Sequence, residues 1–324
     1  MLCRVLEVTR AAFYKWLNRK PSTTQAKQKT IVNEIKRIHC LPRRQDYGSP
    51  RMHRELNNQG VEVSLNTVAK LMKQEGIRAR NTPRFRIATT DSKHDLPIAP
   101  NRLEQCFAVS QLNHVWLTDF TYLSTIEGFS YLCTVQDLCS RRIVGWAASR
   151  RIDARLALAA LNQAIALRQP DRGLIIHSDQ GSQYASLMIR NRLRQCGFLQ
   201  SMSRKGNCYD NAPMESFFKS FKVEEVYHNQ YETHEQAIRS ANDYIERFYN
   251  PERLHSALGY VSPNQYEQRK LYENKVRPEI CLRRSHSSVA RQNLATYNGD
   301  READFEPAFV GEFRENESTI LPNC

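Results

Sequence analysis

The chain has 324 residues, 40% hydrophobic and 25% charged, with a formal net charge of +13; at a mean hydropathy of −0.62 and without an apolar run of about 18 residues, it offers no candidate membrane span. The opening "MLCRVLEVTRAAFYKWL" carries charges where a signal peptide needs an apolar centre, so export is not expected and a cytoplasmic location is. Nine scattered cysteines without a C-x-x-C pair read as reduced thiols, and no Cys/His cluster has zinc-ligand spacing.

Nearly all of the charge excess comes early. Residues 1–100 hold 20 Lys/Arg against 8 Asp/Glu, residues 101–275 hold 21 against 18, and residues 276–324 hold 6 against 8. Such clustering points to a polyanionic partner, DNA or RNA, against the plainer alternative of a solvated basic surface. Within this region "TRAAFYKWLNR" (9–19) predicts a short helix with Phe13, Trp16 and Leu17 on one face, and "IVNEIKRIHCL" a second with Ile31, Ile35 and Ile38 at helical spacing. A third helix starts after Pro50 and stops at Asn58-Gln59-Gly60, and a fourth begins at Ser64, which has N-cap chemistry. Two short helices joined across a glycine fit a helix-turn-helix, with 65–75 as the recognition helix. Asn66, Thr67, Lys70 and Lys73 are its candidate DNA contacts, among basic surroundings that include Arg51, Arg54, Arg78, Arg80, Arg84 and Arg86. Many helical pairs of this kind bind nothing, and it is the basic surroundings that favour DNA.

Residues 87–113, with two prolines and little periodicity, read as a linker. The pattern then changes to three β-rich runs, "HVWLTDFTYL", "FSYLCTVQDL" and "RRIVGWAAS", at hairpin spacing. A helix over 153–168 follows, then the strand "LIIHSD", a helix over 184–196, the strand "LQSMS", a Gly/Asn loop, a helix opened by Pro213 and another over 233–249. That order predicts an α/β fold, a mixed sheet with helices on its faces, preceded by an all-α region. The stretch from 276 lacks periodicity and is expected to be disordered.

Three carboxylates stand out. Asp119 lies inside the first strand and Asp179 at the end of the strand after the crossover helix. As right-handed parallel neighbours, those strands bring the two aspartates together at the carboxyl end of the sheet, where open α/β folds place their sites. Glu215 sits in the first turn of the helix that Pro213 opens. Crowded carboxylates repel and call for a cation; oxygen-only ligands select Mg2+ or Mn2+, and a pair of such ions serves phosphoryl transfer. Each acid also has an ordinary reading: a structural hydrogen bond for Asp119, a helix cap for Asp179, a common first-turn glutamate for Glu215. Asp137 has a turn explanation, and Asp210 ranks behind Glu215 for the third position. Lys222, Arg204 and Lys205 are placed to hold phosphates. His177 and Asn211 are candidates for supporting or substrate contacts, with a structural role open for both.

"WLTDFTYL", "IIHSDQGSQYAS" and "SMSRKGNCYDNAPMESFFKSFKVE" resemble the catalytic blocks of OrfB-type transposases of the "IS three" group of bacterial insertion sequences, relatives of the retroviral-integrase-like DDE recombinases. The 35 residues between Asp179 and Glu215 match that family's spacing, and Lys222 stands where the family carries a basic residue. "FYNPERLHSALGYVSPNQYE" and "YGSPRMHRELNNQGVEVSLNTVAKLMKQEGI" resemble its carboxyl-terminal and helix-turn-helix blocks, so the likeness runs from about residue 3 to 268. It implies a helix-turn-helix region over 1–86, a linker, a ribonuclease-H-like catalytic core over 114–275 and a tail over 276–324 without counterpart. It further implies Asp119, Asp179 and Glu215 as ligands of two divalent ions. The implied activity is DNA cleavage and strand transfer by a homo-multimer at the nucleoid, alone or fused by frameshift to an upstream product. The zinc-binding amino-terminal domain of retroviral integrases is not visible. Two rival functions are a nuclease of the same fold that does not join strands, and a DNA-binding regulator with vestigial acids.

Overall fold

The computed structural model of the chain describes residues 3, 8–18, 22–80, 96–204 and 207–273. Met1–Lys270 form one compact unit. The tail, Lys205, Arg84 and Arg86 lie outside the described residues.

Four helices open the chain: α1 (Arg10–Leu17), α2 (Thr23–His39), α3 (Ser49–Asn58) and α4 (Leu65–Gln74). In α1, Phe13 and Trp16 pack with 6.2 Å between ring centroids, yet no residue of the helix is buried. A capping box starts α2, in which Ser22 Oγ accepts from Gln25 N–H while the Gln25 side chain accepts from Ser22 N–H. Pro50 occupies the first turn of α3, where its missing N–H has no partner to lose. Ser64 caps α4 by accepting from Thr67 N–H, and Gly60 supplies the positive φ of +80° in the connection between them. The predicted helix pair therefore forms, and it buries Met52 and Leu56 of α3 and Val68, Leu71 and Met72 of α4.

The sheet has the order β3-β2-β1-β4-β5. Its strands are β1 (Val115–Thr125), β2 (Gly128–Asp137), β3 (Ile143–Ser149), β4 (Ile175–Ser178) and β5 (Leu199–Met202). β1 and β3 each pair antiparallel with β2, while β4 pairs parallel with β1 and with β5. α5 (Ala154–Arg168) crosses from β3 to β4, α6 (Leu187–Cys196) from β4 to β5, and α7 (Ala212–Glu224) and α8 (His234–Asn242) follow. At Gly145 an added Cβ would lie 2.4 Å from the Ala160 carbonyl, so only glycine lets α5 settle on β3.

Two predicted helices differ from expectation. The helix over 184–196 is interrupted: Ser186 leaves helical geometry and restarts the chain as the N-cap of α6, accepting from Ile189 N–H. The helix over 233–249 becomes π-helical over Asp243–Tyr249. Its wider i→i+5 turn turns Tyr244, Ile245, Phe248 and Tyr249 all inward.

Each face of the sheet has its own apolar cluster. Trp116, Phe120, Cys133, Val135 and Val144 pack with α5 and α6. Val115, Leu117, Leu123, Leu132 and Ile143 belong to a larger cluster with Phe217, Phe218 and Phe221 of α7 and the residues of the π-helical run. Ile35, Ile38, Met52, Leu56, Val68, Leu71 and Met72 belong to that same cluster, so α2–α4 share a core with the sheet.

A buried charge ties this arrangement together. Glu224, at the end of α7, accepts two hydrogen bonds of 2.7 Å from Arg253 and one of 2.8 Å from Tyr244 Oη, and Arg51 of α3 reaches it at 3.2 Å. Burial pushes the Glu224 carboxyl up, but the charges of Arg253 and Arg51 outweigh it and hold the carboxyl below its ordinary 4.5. Stability from this clamp is therefore complete above pH 4.5 and is lost as pH falls through the depressed folded value. Arg253→Ala is expected to lower unfolding free energy by about 3 kcal/mol at neutral pH, since it strips the main partner from a buried charge. Urea denaturation across pH checks this, and the gap from wild type should narrow as the pH drops below 4.5.

Candidate active site

The parallel register of β1 and β4 places the first two acids. Val115, Trp116 and Leu117 lie opposite Ile175, Ile176 and His177. Continued by two residues, the same register sets Asp119 beside Asp179, one residue past the end of β4. Asp119 shares the alternation phase of Leu117 and Leu123, which pack in the cluster that contains α7. Glu215 stands exposed in the first turn of α7.

Electrostatics report what the backbone brings together. The Asp119 carboxyl sits well above the usual carboxylate range, first because it is desolvated, then because Asp179 and Glu215 place negative charge near it. Phe120 N–H, donating to Oδ1 at 2.7 Å, and the Lys222 ammonium pull the other way. Asp179 Oδ1 accepts from Gly181 N–H at 3.0 Å, closing a tight turn. Gly181, without a side-chain bond, is the N-cap of the single turn Ser182–Ala185, so Asp179 is not a helix cap. Lys222 lies with its Nζ 4.4 Å from the Tyr122 ring centroid. Burial lowers its pKa and Asp119 opposes that shift.

Among the described residues, no three His, Cys, Asp or Glu side chains are already gathered closely enough to hold an ion. The donor set nonetheless fits a hard divalent cation: three carboxylates, with the innermost destabilised as an anion by its neighbours. Glu215 is exposed in this arrangement, and its charge still reaches Asp119.

The other acids have different work. Asp137 accepts from the backbone N–H groups of Asn113, Cys139 and Ser140, the turn role expected of it. Asp210 is fully buried. It accepts from Asn101, from Gln105 and, through side chain and backbone, from Arg204. The Arg204 hydrogen bonds, ahead of the opposing burial, hold its carboxyl far below the usual range. Both of its oxygens are taken by these donors, so Asp210 latches the loop before α7 onto the segment 96–113. Arg204 is engaged in this latch, although its side chain keeps 60% of its surface exposed.

His177 is buried between Ser201 and Ser203 at 2.9 and 3.1 Å, and desolvation lowers its pKa to about 4. It is a neutral tie from β4 to β5. Asn211 is buried, and neither its Oδ1 nor its Nδ2 has a partner among the described residues. Sequence reading missed Tyr122 and the buried hydroxyls of Thr118 and Tyr184, 3.1 Å apart behind the acids. No local pattern marks them, since aromatic and β-branched residues are ordinary in strands.

Residues 109–208 and 215–271 match two family models described as an integrase core domain, and residues 25–85 match an HTH-like domain. The uncharacterized 31 kDa protein of insertion element IS600 from Shigella sonnei is 41% identical over 268 residues, covering 83% of this chain and 98% of its own. Transposase InsF for insertion sequence IS3A of Escherichia coli K12 is 38% identical over 271 residues, 83% of this chain and 94% of that one. The chain belongs to the insertion-sequence transposases. Its enzyme class is DDE transposase/integrase, and its activity is DNA transposition and integration. The transposase for element IS904 of Lactococcus lactis is 39% identical over 252 residues, 78% of this chain and 99% of its own. Among solved structures, the catalytic core domain of BIV integrase aligns at 17% identity and TM-score 0.38, covering 50% of this chain and 99% of that one. The HTLV-2 integrase core in complex with magnesium aligns at 16% and 0.37, covering 48% and 95%.

In the transposase the basic residues of the first hundred divide in two. Arg43 pairs with Glu225 at 2.7 Å, Arg44 with Glu252 at 3.0 Å, Arg51 with Glu224, and Arg80 with Asp46 at 2.6 Å. These arginines, two of which the sequence suggested for DNA, hold the fold together. Asn66, Lys70 and Lys73 of α4 are exposed, and Thr67 is half-buried with its hydroxyl 2.8 Å from Ser64 Oγ.

Asp210→Asn tests the latch. It removes charge from the hydrogen bonds that fix the loop, each of the kind worth roughly 1.5–3 kcal/mol. Hydrogen exchange is expected to speed up about tenfold or more over 207–214 while the sheet stays protected. An unchanged loop would remove the latch.

Proposed function

We propose that Asp119, Asp179 and Glu215 together hold divalent cations, Mg2+ or Mn2+, two in the full site, and that this site cuts element ends and transfers the strand to target DNA. The observation that carries this reading is the Asp119 carboxyl, raised by its own desolvation and by the charges of Asp179 and Glu215. Bound there, divalent cations would supply activation of an attacking oxygen and charge stabilisation of the leaving one. The chain's part is to aim its carboxylates and keep the surrounding loop rigid. Asp179 is oriented by Gly181 N–H, Asp119 by Phe120 N–H, and the loop before Glu215 by Asp210. Lys222, beside Asp119, offers a cation to the DNA backbone, together with Arg204 and, next to it in sequence, Lys205. The exposed face of α4, with Asn66, Thr67, Lys70 and Lys73, meets DNA. In this layout residues 1–86 hold DNA, 87–113 connect, and 114–275 carry the chemistry. The transposase acts as a multimer on DNA, near the nucleoid, with an upstream-frame product as a further partner.

Cation binding is readable without activity. Because the Asp119 carboxyl is raised in the folded chain, stability falls as pH climbs through its titration, and a cation that displaces the proton offsets more at higher pH. Mg2+ is expected to raise Tm more at pH 8 than at pH 5, and Asp119→Asn to abolish the increment. Asp179→Asn keeps size and removes charge; it should eliminate Mg2+-dependent cleavage and strand transfer while retaining DNA binding. Wild-type cleavage by purified Asp179→Asn would end its assignment as a ligand.

Contact of α4 with phosphates predicts a salt-dependent affinity. Replacing Lys70 and Lys73 together should flatten the slope of log affinity against log salt by about two. An unchanged slope would place α4 outside the interface.

A further inference from the structure

The Lys222 side chain has four rotatable carbons and lies close to the acidic site, so something must keep its ammonium from collapsing onto the carboxylates. None of the ion pairs among the described residues includes it. What it touches is the Tyr122 ring, 4.4 Å from Nζ to centroid. Tyr122 lies three residues beyond Asp119 on the same strand. Its ring meets Phe129 of β2 edge-on, with 5.4 Å between centroids and 83° between planes, which restrains the ring's orientation. The negative face of an aromatic ring attracts an ammonium, and this attraction leaves the N–H donors available to a third group.

We propose that Tyr122 is the positioning residue for Lys222: its ring, braced by Phe129, holds the ammonium beside Asp119 with hydrogens available for a phosphate oxygen of the DNA. This rests on the reading of Lys222 as a phosphate-holding residue. Tyr122 is assigned no contact with the reacting phosphorus or the carboxylates. Its effect passes through Lys222, and its hydroxyl has no part in it.

Strand transfer by the full chain, with Mg2+ and a duplex bearing the element's own end, tests this in Tyr122→Leu, Tyr122→Phe, Lys222→Ala and the Tyr122→Leu/Lys222→Ala double variant. A cation–π contact of this kind predicts a loss of roughly three- to thirtyfold for Tyr122→Leu. Tyr122→Phe should restore the rate to within about twofold of wild type, because the ring remains. The double variant should be no slower than Lys222→Ala. Losses that multiply in the double variant, or a Tyr122→Phe enzyme as slow as Tyr122→Leu, overturn the proposal. A wild-type rate for Lys222→Ala overturns it too, and does so by removing Lys222 from DNA; a slow Lys222→Ala beside a normal Tyr122→Leu overturns the positioning role alone. Incorporating phenylalanines of increasing fluorination at 122 guards against misfolding of the leucine variant. They keep the ring's shape and drain its negative face, so the rate should fall stepwise with fluorine number. A flat series overturns the proposal.

Discussion

Like charge concentrated around one desolvated carboxyl is the constraint on which the rest of this transposase depends. Asp119 would be an unfavourable anion in its strand even alone, and Asp179 and Glu215 make it more so. Such a trio does not assemble by mutual attraction. Its members are carried on three elements, each anchored elsewhere: β1 by the ladder to β2, the exit of β4 by its pairing with β1 and β5, and the first turn of α7 by three phenylalanines in the core. Folding energy from the sheet and core offsets the repulsion.

α7 joins the acidic cluster to the amino-terminal helices. Its first turn carries Glu215, its last holds Lys222, and its end presents Glu224 and Glu225 to arginines. Arg253 and Arg51 meet Glu224, and Arg43 meets Glu225 while lying 5.6 Å from the Phe248 ring centroid. A buried pair of this sort is a weak source of net stability but fixes geometry, because an unpaired charge there is costly. The helix-turn-helix region thus rests on the helix that bears Glu215, sharing one apolar cluster with it.

Charge counting along the sequence treats all cations alike. It locates the excess correctly but not its purpose, since Arg43, Arg44, Arg51 and Arg80 serve internal pairs while Lys70 and Lys73 face outward. The same holds for Asp210, two residues before α7 and five before Glu215 in the chain, yet saturated by Asn101, Gln105 and Arg204. Those partners lie up to 109 residues away, and no local pattern announces them.

Elements and their order were legible in the sequence, because strand alternation, helical periodicity and capping chemistry are local properties of consecutive residues. The three β-rich runs, the crossover helix, the Ser64 cap, Asp119 inside its strand and Asp179 at the exit of the parallel neighbour all reappear in the fold. The break at Ser186 and the π-helical run from Asp243 were not legible, since they arise where packing overrides propensity. Only the tertiary structure decided which aspartate is a latch, which arginines stay inside, and that Lys222 rests on an aromatic ring. Periodicity fixes which side of an element a residue faces. What that residue meets depends on elements brought together from distant parts of the chain, and the pairing of charges and rings is settled there.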